Sequence, residues 1–149
     1  MKFRFLEEIA TADVAFEAYG KTLDELFENC GLAVEETMVD TSTVAPAKNS
    51  KFEIRNSKLE DLLFDFLSEL VFLKDRDGLL FSKIKVKLST YLRSDSMPDK
   101  RLTLEAKLWG EEIDPTRHHL RADVKAVTKH LFKIEKEREG YKATVVLDI

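Results

Sequence analysis

The sequence predicts an α+β fold: two amphipathic helices packed on one face of a mostly antiparallel sheet, in one two-layer domain over residues 1–149. Three observations carry this. Residues 22–34 and 57–71 repeat apolar side chains three and four apart, which places them on one face of a helix. About seven shorter stretches alternate apolar and polar residues, the period of a half-buried strand. Many of these follow one another through short polar turns, as hairpins do and parallel crossovers do not.

The elements follow in order. Phe3 and Phe5, then Val14, Phe16 and Ala18, alternate with polar residues and predict strands at 2–6 and 13–19. Thr22 and Glu25 have the spacing of a capping box and open the first helix, whose apolar face is Leu23, Leu26, Phe27, Cys30, Ala33 and Val34. A loop with Pro46 and Asn49 leads to a strand at 51–55. Ser57 and Glu60 repeat the capping-box spacing ahead of the second helix, which Gly78 ends in the left-handed conformation. Strands at 80–92 and 101–110 form a long pair, and 127–135 with 141–148 form the last one. Segment 115–126 is open between loop, short helix and strand.

Composition narrows the function classes. No apolar run approaches the roughly 18 residues a membrane helix needs, and the N-terminal stretch is broken by acids, so a cytoplasmic protein is expected. The one cysteine, Cys30, excludes an internal disulfide and reads as a small core residue. The net charge of −4 is uneven: residues 7–40 hold ten acids against Lys21, and residues 117–142 hold eight bases against four acids. A continuous basic coat for nucleic acid is therefore not expected, although the 117–142 region leaves direct RNA contact open. The uneven charge reads as a solvated surface or a polar docking surface for a protein partner.

Enzyme signatures are missing. Neither a glycine-rich phosphate loop nor a G-x-S-x-G elbow occurs. His118, His119 and His130 cluster late, but adjacent histidines diverge on a strand or helix, which disfavours a zinc site. Asp75 and Asp77 begin like a calcium loop, yet Val86 stands where its bidentate glutamate belongs. The carboxylates at element ends remain: Asp13, Asp40, Glu111, Asp114 and Asp148. The closing V-V-L-D-I attracts most interest, because Asp148 is followed directly by the carboxylate of Ile149. Two adjacent negative groups on an ordered strand end repel unless solvated or bridged, and a divalent cation would bridge them.

Several segments carry a family resemblance: T-A-D-V at 11–14, G-K-T-L-D-E-L-F-E-N-C at 20–30 and M-V-D-T-S-T-V at 38–44. W-G-E-E-I-D at 109–114, V-K-A-V-T at 124–128 and the terminal V-V-L-D-I continue it in order. Together they resemble archease from about residue 7 to the end. The resemblance implies a non-catalytic accessory protein of the GTP-dependent tRNA-splicing RNA ligase of the RtcB type, one that promotes guanylylation of the ligase histidine and multiple turnover. It also implies a divalent cation, calcium first with magnesium or manganese as substitutes, held by Asp13, Asp148 and Ile149. Lys125 would balance charge beside this cluster or face the partner, and Asp40, Glu111 and Asp114 would shape the same surface. Many archeases read D-H-T-A-D where this chain has I-A-T-A-D, so Ile9 and Ala10 replace an acid and a histidine. Lys129 likewise stands at a position often aromatic. Two further readings are a chaperone-like modulator of a tRNA-modifying enzyme such as a methyltransferase, and, less favoured, a metal-dependent hydrolase.

Overall fold

The computed structural model describes residues 1–6, 12–94 and 97–149, with side chains described outside 91–100. In chain order the strands are β1 (Phe3–Phe5) and β2 (Asp13–Gly20), followed by helix α1 (Leu23–Met38). A short 3-10 turn (Thr41–Thr43) precedes β3 (Lys48–Asn56) and helix α2 (Leu59–Asp77). The long strands β4 (Leu79–Ser94) and β5 (Met97–Glu112) are followed by β6 (Ala126–Val127), β7 (Lys133–Glu137) and β8 (Gly140–Asp148).

The architecture is the predicted α+β class, with all described pairings antiparallel. The strands divide into two sheets where the sequence suggested one. One sheet runs β1-β2-β8-β6 with β7 also on β8, and the other runs β3-β5-β4. Phe27, Leu62, Phe66, Leu67 and Leu70 from the helices are fully buried against residues of both sheets, including Phe16, Leu104 and Val145. Cys30 is among these core residues, and burial pushes its thiol well above the ordinary range.

The acids of α1 have a structural use that their spacing hints at. β4 is the edge of its sheet, so one row of its amides lacks a strand partner. Asp24 accepts the Leu88 N–H at 3.0 Å, Glu28 the Val86 N–H at 2.8 Å, and Glu35 the Phe81 N–H at 3.3 Å. α1 thus covers the edge with acidic side chains in place of a strand, their carboxyl oxygens accepting from amides of that row and blocking edge-to-edge pairing. Part of the acidic tract at 7–40 is therefore fold chemistry.

Caps and turns decide three local outcomes. Thr22 caps α1 as expected, its hydroxyl accepting the Glu25 N–H at 3.1 Å. The expected box at Ser57 and Glu60 does not form: Lys58 takes the cap position without a side-chain bond, and the Glu60 carboxylate accepts the Ile134 N–H of β7 at 2.7 Å. A tertiary donor outcompeted the local one. The strand expected at 127–135 splits into β6 and β7, because Leu131 takes a positive φ of 57° and Phe132 N–H turns back to Lys129 O at 3.2 Å. Segment 115–126 is mostly loop, pinned by the bridge between Val39 and Leu120.

Candidate functional site at the end of β2 and β8

Strand register brings the predicted metal residues together. β2 and β8 pair so that Asp13 and Asp148 are direct Cα partners. Opposite residues on an antiparallel pair share a face. Phe16, Ala18, Val145 and Leu147 belong to the core, so the alternation puts Asp13 and Asp148 on the face turned away from it. Ile149 continues beyond the strand, its N–H donating to Ala12 O at 2.9 Å. Ala126 of β6 pairs with Asp148 from the other side, and the Lys125 N–H donates to Asp148 O at 2.8 Å. Asp13, Asp148, Ile149 and Lys125 therefore meet at one sheet end, although they lie at opposite ends of the sequence.

The electrostatics of this end are unbalanced. Asp13 and Asp148 are half-buried, and among the described residues neither carboxylate accepts a hydrogen bond or forms an ion pair. Lys125 touches Asp148 through its backbone, and its exposed side chain forms no ion pair among the described residues. No trio of Asp, Glu, His or Cys side chains is gathered for a metal among the described residues. A cation here would draw on the Asp13 and Asp148 carboxylates, with Ile149 held beside them by its N–H to Ala12 O. Such all-oxygen donors suit a hard divalent ion such as calcium, magnesium or manganese. Ile9 and Ala10, the departure beside Asp13, lie outside the described residues.

The second set of predicted residues forms a separate, neutralised network. Asp40 caps the 3-10 turn, accepting the Ser42 N–H at 3.0 Å and its hydroxyl at 2.7 Å, and these bonds hold its carboxyl below the usual range. Glu111 is buried and accepts from Arg117 Nη2 at 2.7 Å, His118 Nε2 at 2.7 Å and the Ala45 N–H at 2.9 Å. With Arg117 and His118 as the main causes, its carboxyl is pulled down to about 2. Asp114 is lowered by Thr116 first and by Arg117 in addition. His118 Nδ1 accepts the Asp114 N–H at 2.9 Å, so the proton of the neutral ring sits on Nε2 and is donated to Glu111. His119 N–H bonds Thr43 Oγ1 at 3.1 Å and its carbonyl takes the Asp40 N–H at 2.9 Å, which joins Asp40 to this loop. His119 and His130 are both exposed.

Lys74, a residue the sequence reading did not single out, connects the two sets. Only 8 % exposed, it reaches from the end of α2 to Asp123 Oδ1 at 2.6 Å and Val124 O at 2.8 Å. The adjoining segment is fastened to α1 by Arg121 N–H to Met38 O at 2.8 Å and Ala122 N–H to Thr37 O at 3.2 Å. A continuous braced strap thus runs from the Glu111 network to Lys125 and the Asp148 backbone. The K-D-R-D-G context of Lys74 carries no local sign of partners so distant in sequence.

Fold and site together define a small α+β protein with a pair of uncompensated carboxylates at a sheet end, held by a strap from the second helix. The model of the Archease protein family (MTH1598/TM1083) matches residues 3–149. Protein archease of Sulfurisphaera tokodaii is 42% identical over 148 residues, covering 99% of each chain. Protein archease of Methanothermobacter thermautotrophicus is also 42% identical, over 99% of this chain and 98% of that one. The solution structure of Methanobacterium thermoautotrophicum protein 1598 superposes with a TM-score of 0.78 at 39% identity, covering 99% of each chain. The crystal structure of a Thermotoga maritima archease, described as a possible chaperone, shares the fold with a TM-score of 0.61 at 22% identity and 98% coverage of each chain. The chain belongs to the archease family.

Proposed function

We propose that this archease is a non-catalytic activator of a GTP-dependent tRNA-splicing RNA ligase of the RtcB type, promoting guanylylation of the ligase histidine and multiple turnover. The observation that carries the reading is the direct pairing of Asp13 with Asp148 beside Ile149, two carboxylates left without a protein cation among the described residues. Bound there, a divalent ion such as calcium, magnesium or manganese would cancel their repulsion and offer open coordination positions to a partner. The chain's own contribution is placement: β2 and β8 fix the carboxylates, and the Lys74 strap fixes the backbone beside Asp148. Asp40, Glu111 and Asp114 support the loop beside that strap, and Lys125 is its exposed charge toward a partner.

The test is multiple-turnover ligation by the cognate ligase with GTP and manganese, with this protein sub-stoichiometric. Stimulation by the wild type and its loss in both Asp13→Ala and Asp148→Ala is the expected result. Full stimulation by both variants would remove the site assignment, and no stimulation at any ratio would remove the ligase reading. A chaperone-like role toward a tRNA-modifying enzyme is the second reading, motivated by the acid-rich 7–40 tract. The engagement of Asp24, Glu28 and Glu35 with β4 leaves less of that tract for shielding a basic client.

A further inference from the structure

The bases of 117–142, the obvious basic tract, are largely engaged inside the protein: Arg121 with Glu36 at 2.6 Å, Lys129 with Asp61 at 3.1 Å and Arg117 with Glu111 at 2.7 Å. A group of lysines in strand register, none of them in an ion pair among the described residues, lies on the exposed face of the β3-β5-β4 sheet. Register aligns Lys51 with Lys107 and Lys107 with Lys85, so three lysines form one rung across three strands. All three are exposed, and among the described residues none of them forms an ion pair.

This rung runs against sheet energetics. Neighbouring strands lie about 4.8 Å apart, and like charges directly opposite each other destabilise a pair. Lys83 and Lys87 flank Lys85 along β4, at roughly 6.6 Å intervals from the strand rise. That interval is comparable to the spacing of phosphates on an extended polynucleotide. The next rung aligns Glu53, Glu105 and Lys87, and Glu53 is occupied by Arg55 at 2.9 Å. On the other side of the lysine rung sits Trp109, half-buried, with Lys83 Nζ 4.7 Å from its ring centroid. Lysines in register beside an aromatic ring have the make-up of a single-strand platform, in which cations track the backbone and the ring stacks a base.

We infer that the exposed face of the β3-β5-β4 sheet binds single-stranded RNA, with Lys51, Lys107 and Lys85 on the phosphates and Trp109 against a base. The choice of RNA as occupant rests on the ligase reading, since it names the substrate that both proteins would share. The face is separate from the Asp13–Asp148 end and needs no metal. It also keeps nucleic acid away from the uncompensated carboxylates, which would repel it.

Trp109 is the chain's one tryptophan, so its fluorescence reports on this face alone. The experiment titrates the full chain, without ligase or metal, with oligouridylate at low salt, following Trp109 emission and the anisotropy of labelled RNA. Expected are quenching of Trp109, a slope of log affinity on log salt near about −3 for four or five phosphates, and a loss of roughly tenfold or more in Lys107→Glu and Lys85→Glu. Three results would each overturn the inference: no quenching, unchanged affinity in both variants, or equal competition by polyglutamate, which would mark a dock for an acidic protein. RNA binding without ligase stimulation would sustain the face and remove the ligase reading. Stimulation without RNA binding would do the reverse.

Discussion

Asp13 and Asp148 are direct partners on the end rung of the β2–β8 ladder, two carboxylates opposite each other with no cationic side chain between them among the described residues. Like charges in that position cost roughly 0.2–1 kcal/mol, so the pairing is a stability defect unless a cation occupies it. In chelator, Asp148→Asn should melt at or slightly above the wild-type temperature. With calcium at about a hundred times its dissociation constant, the wild type should gain on the order of 2.7 kcal/mol and the variant far less. Thermal melts in both conditions check this, and identical calcium shifts in the two proteins would contradict it.

Glu35 offers a test of the core. It is fully buried; one oxygen accepts the Phe81 N–H and the other has no partner, and burial raises its carboxyl from 4.5 to about 8. The folded protein therefore keeps a proton that the unfolded chain releases near 4.5. Stability from this group is complete below 4.5 and is lost as pH rises through about 8, at up to roughly 1.4 kcal/mol per pH unit. Glu35→Gln should match the wild type at pH 4 and exceed it at pH 9 by a few kcal/mol, as read from urea midpoints.

How much of this was legible in the chain varies with the physics behind each feature. The face of α2 is a periodic property of neighbouring residues, so Leu62, Phe66 and Leu70 announced it and are all buried. Asp13 and Asp148 were legible as acids at strand ends, but their meeting is a matter of register, which alternation alone does not set. The capping box at Ser57–Glu60 failed because the better donor, Ile134, comes from β7. The division of β6 from β7 rests on the backbone of Leu131, a branched residue with nothing in its identity to signal a positive φ. The lysine rung was the least visible, because its members come from three strands and each looks like an ordinary exposed lysine.

The Glu111 network predicts an opposite pH response. Its carboxyl is lowered from 4.5 to about 2, mainly by Arg117 and then His118, so its stabilisation is present above 4.5 and lost as pH falls through about 2. Glu111→Gln should lower the melting temperature at pH 7, and the gap to wild type should close as the solution is acidified. Because the loop also carries Asp40 and Asp114, the variant should loosen it, giving faster amide exchange at His118 and His119. An unchanged gap between pH 7 and pH 3 would mean that the charge on Glu111 is not what holds the loop.

Lys107→Glu separates function from folding, since the two should move in opposite directions. In the wild type, Lys107 sits between Lys51 and Lys85 as the central member of a repulsive rung. Reversing its charge turns both neighbours into attractive pairs, each worth roughly 0.2–1 kcal/mol. For a chain of this size a kcal/mol corresponds to about 2–4 °C, so the melting temperature should rise by a few degrees. High salt should shrink that rise, because exposed pairs are screened. The same variant is expected to lose RNA affinity, which makes general unfolding an untenable explanation for the loss. A lower melting temperature with intact RNA binding would show that the lysines are neither strained by one another nor placed for phosphate.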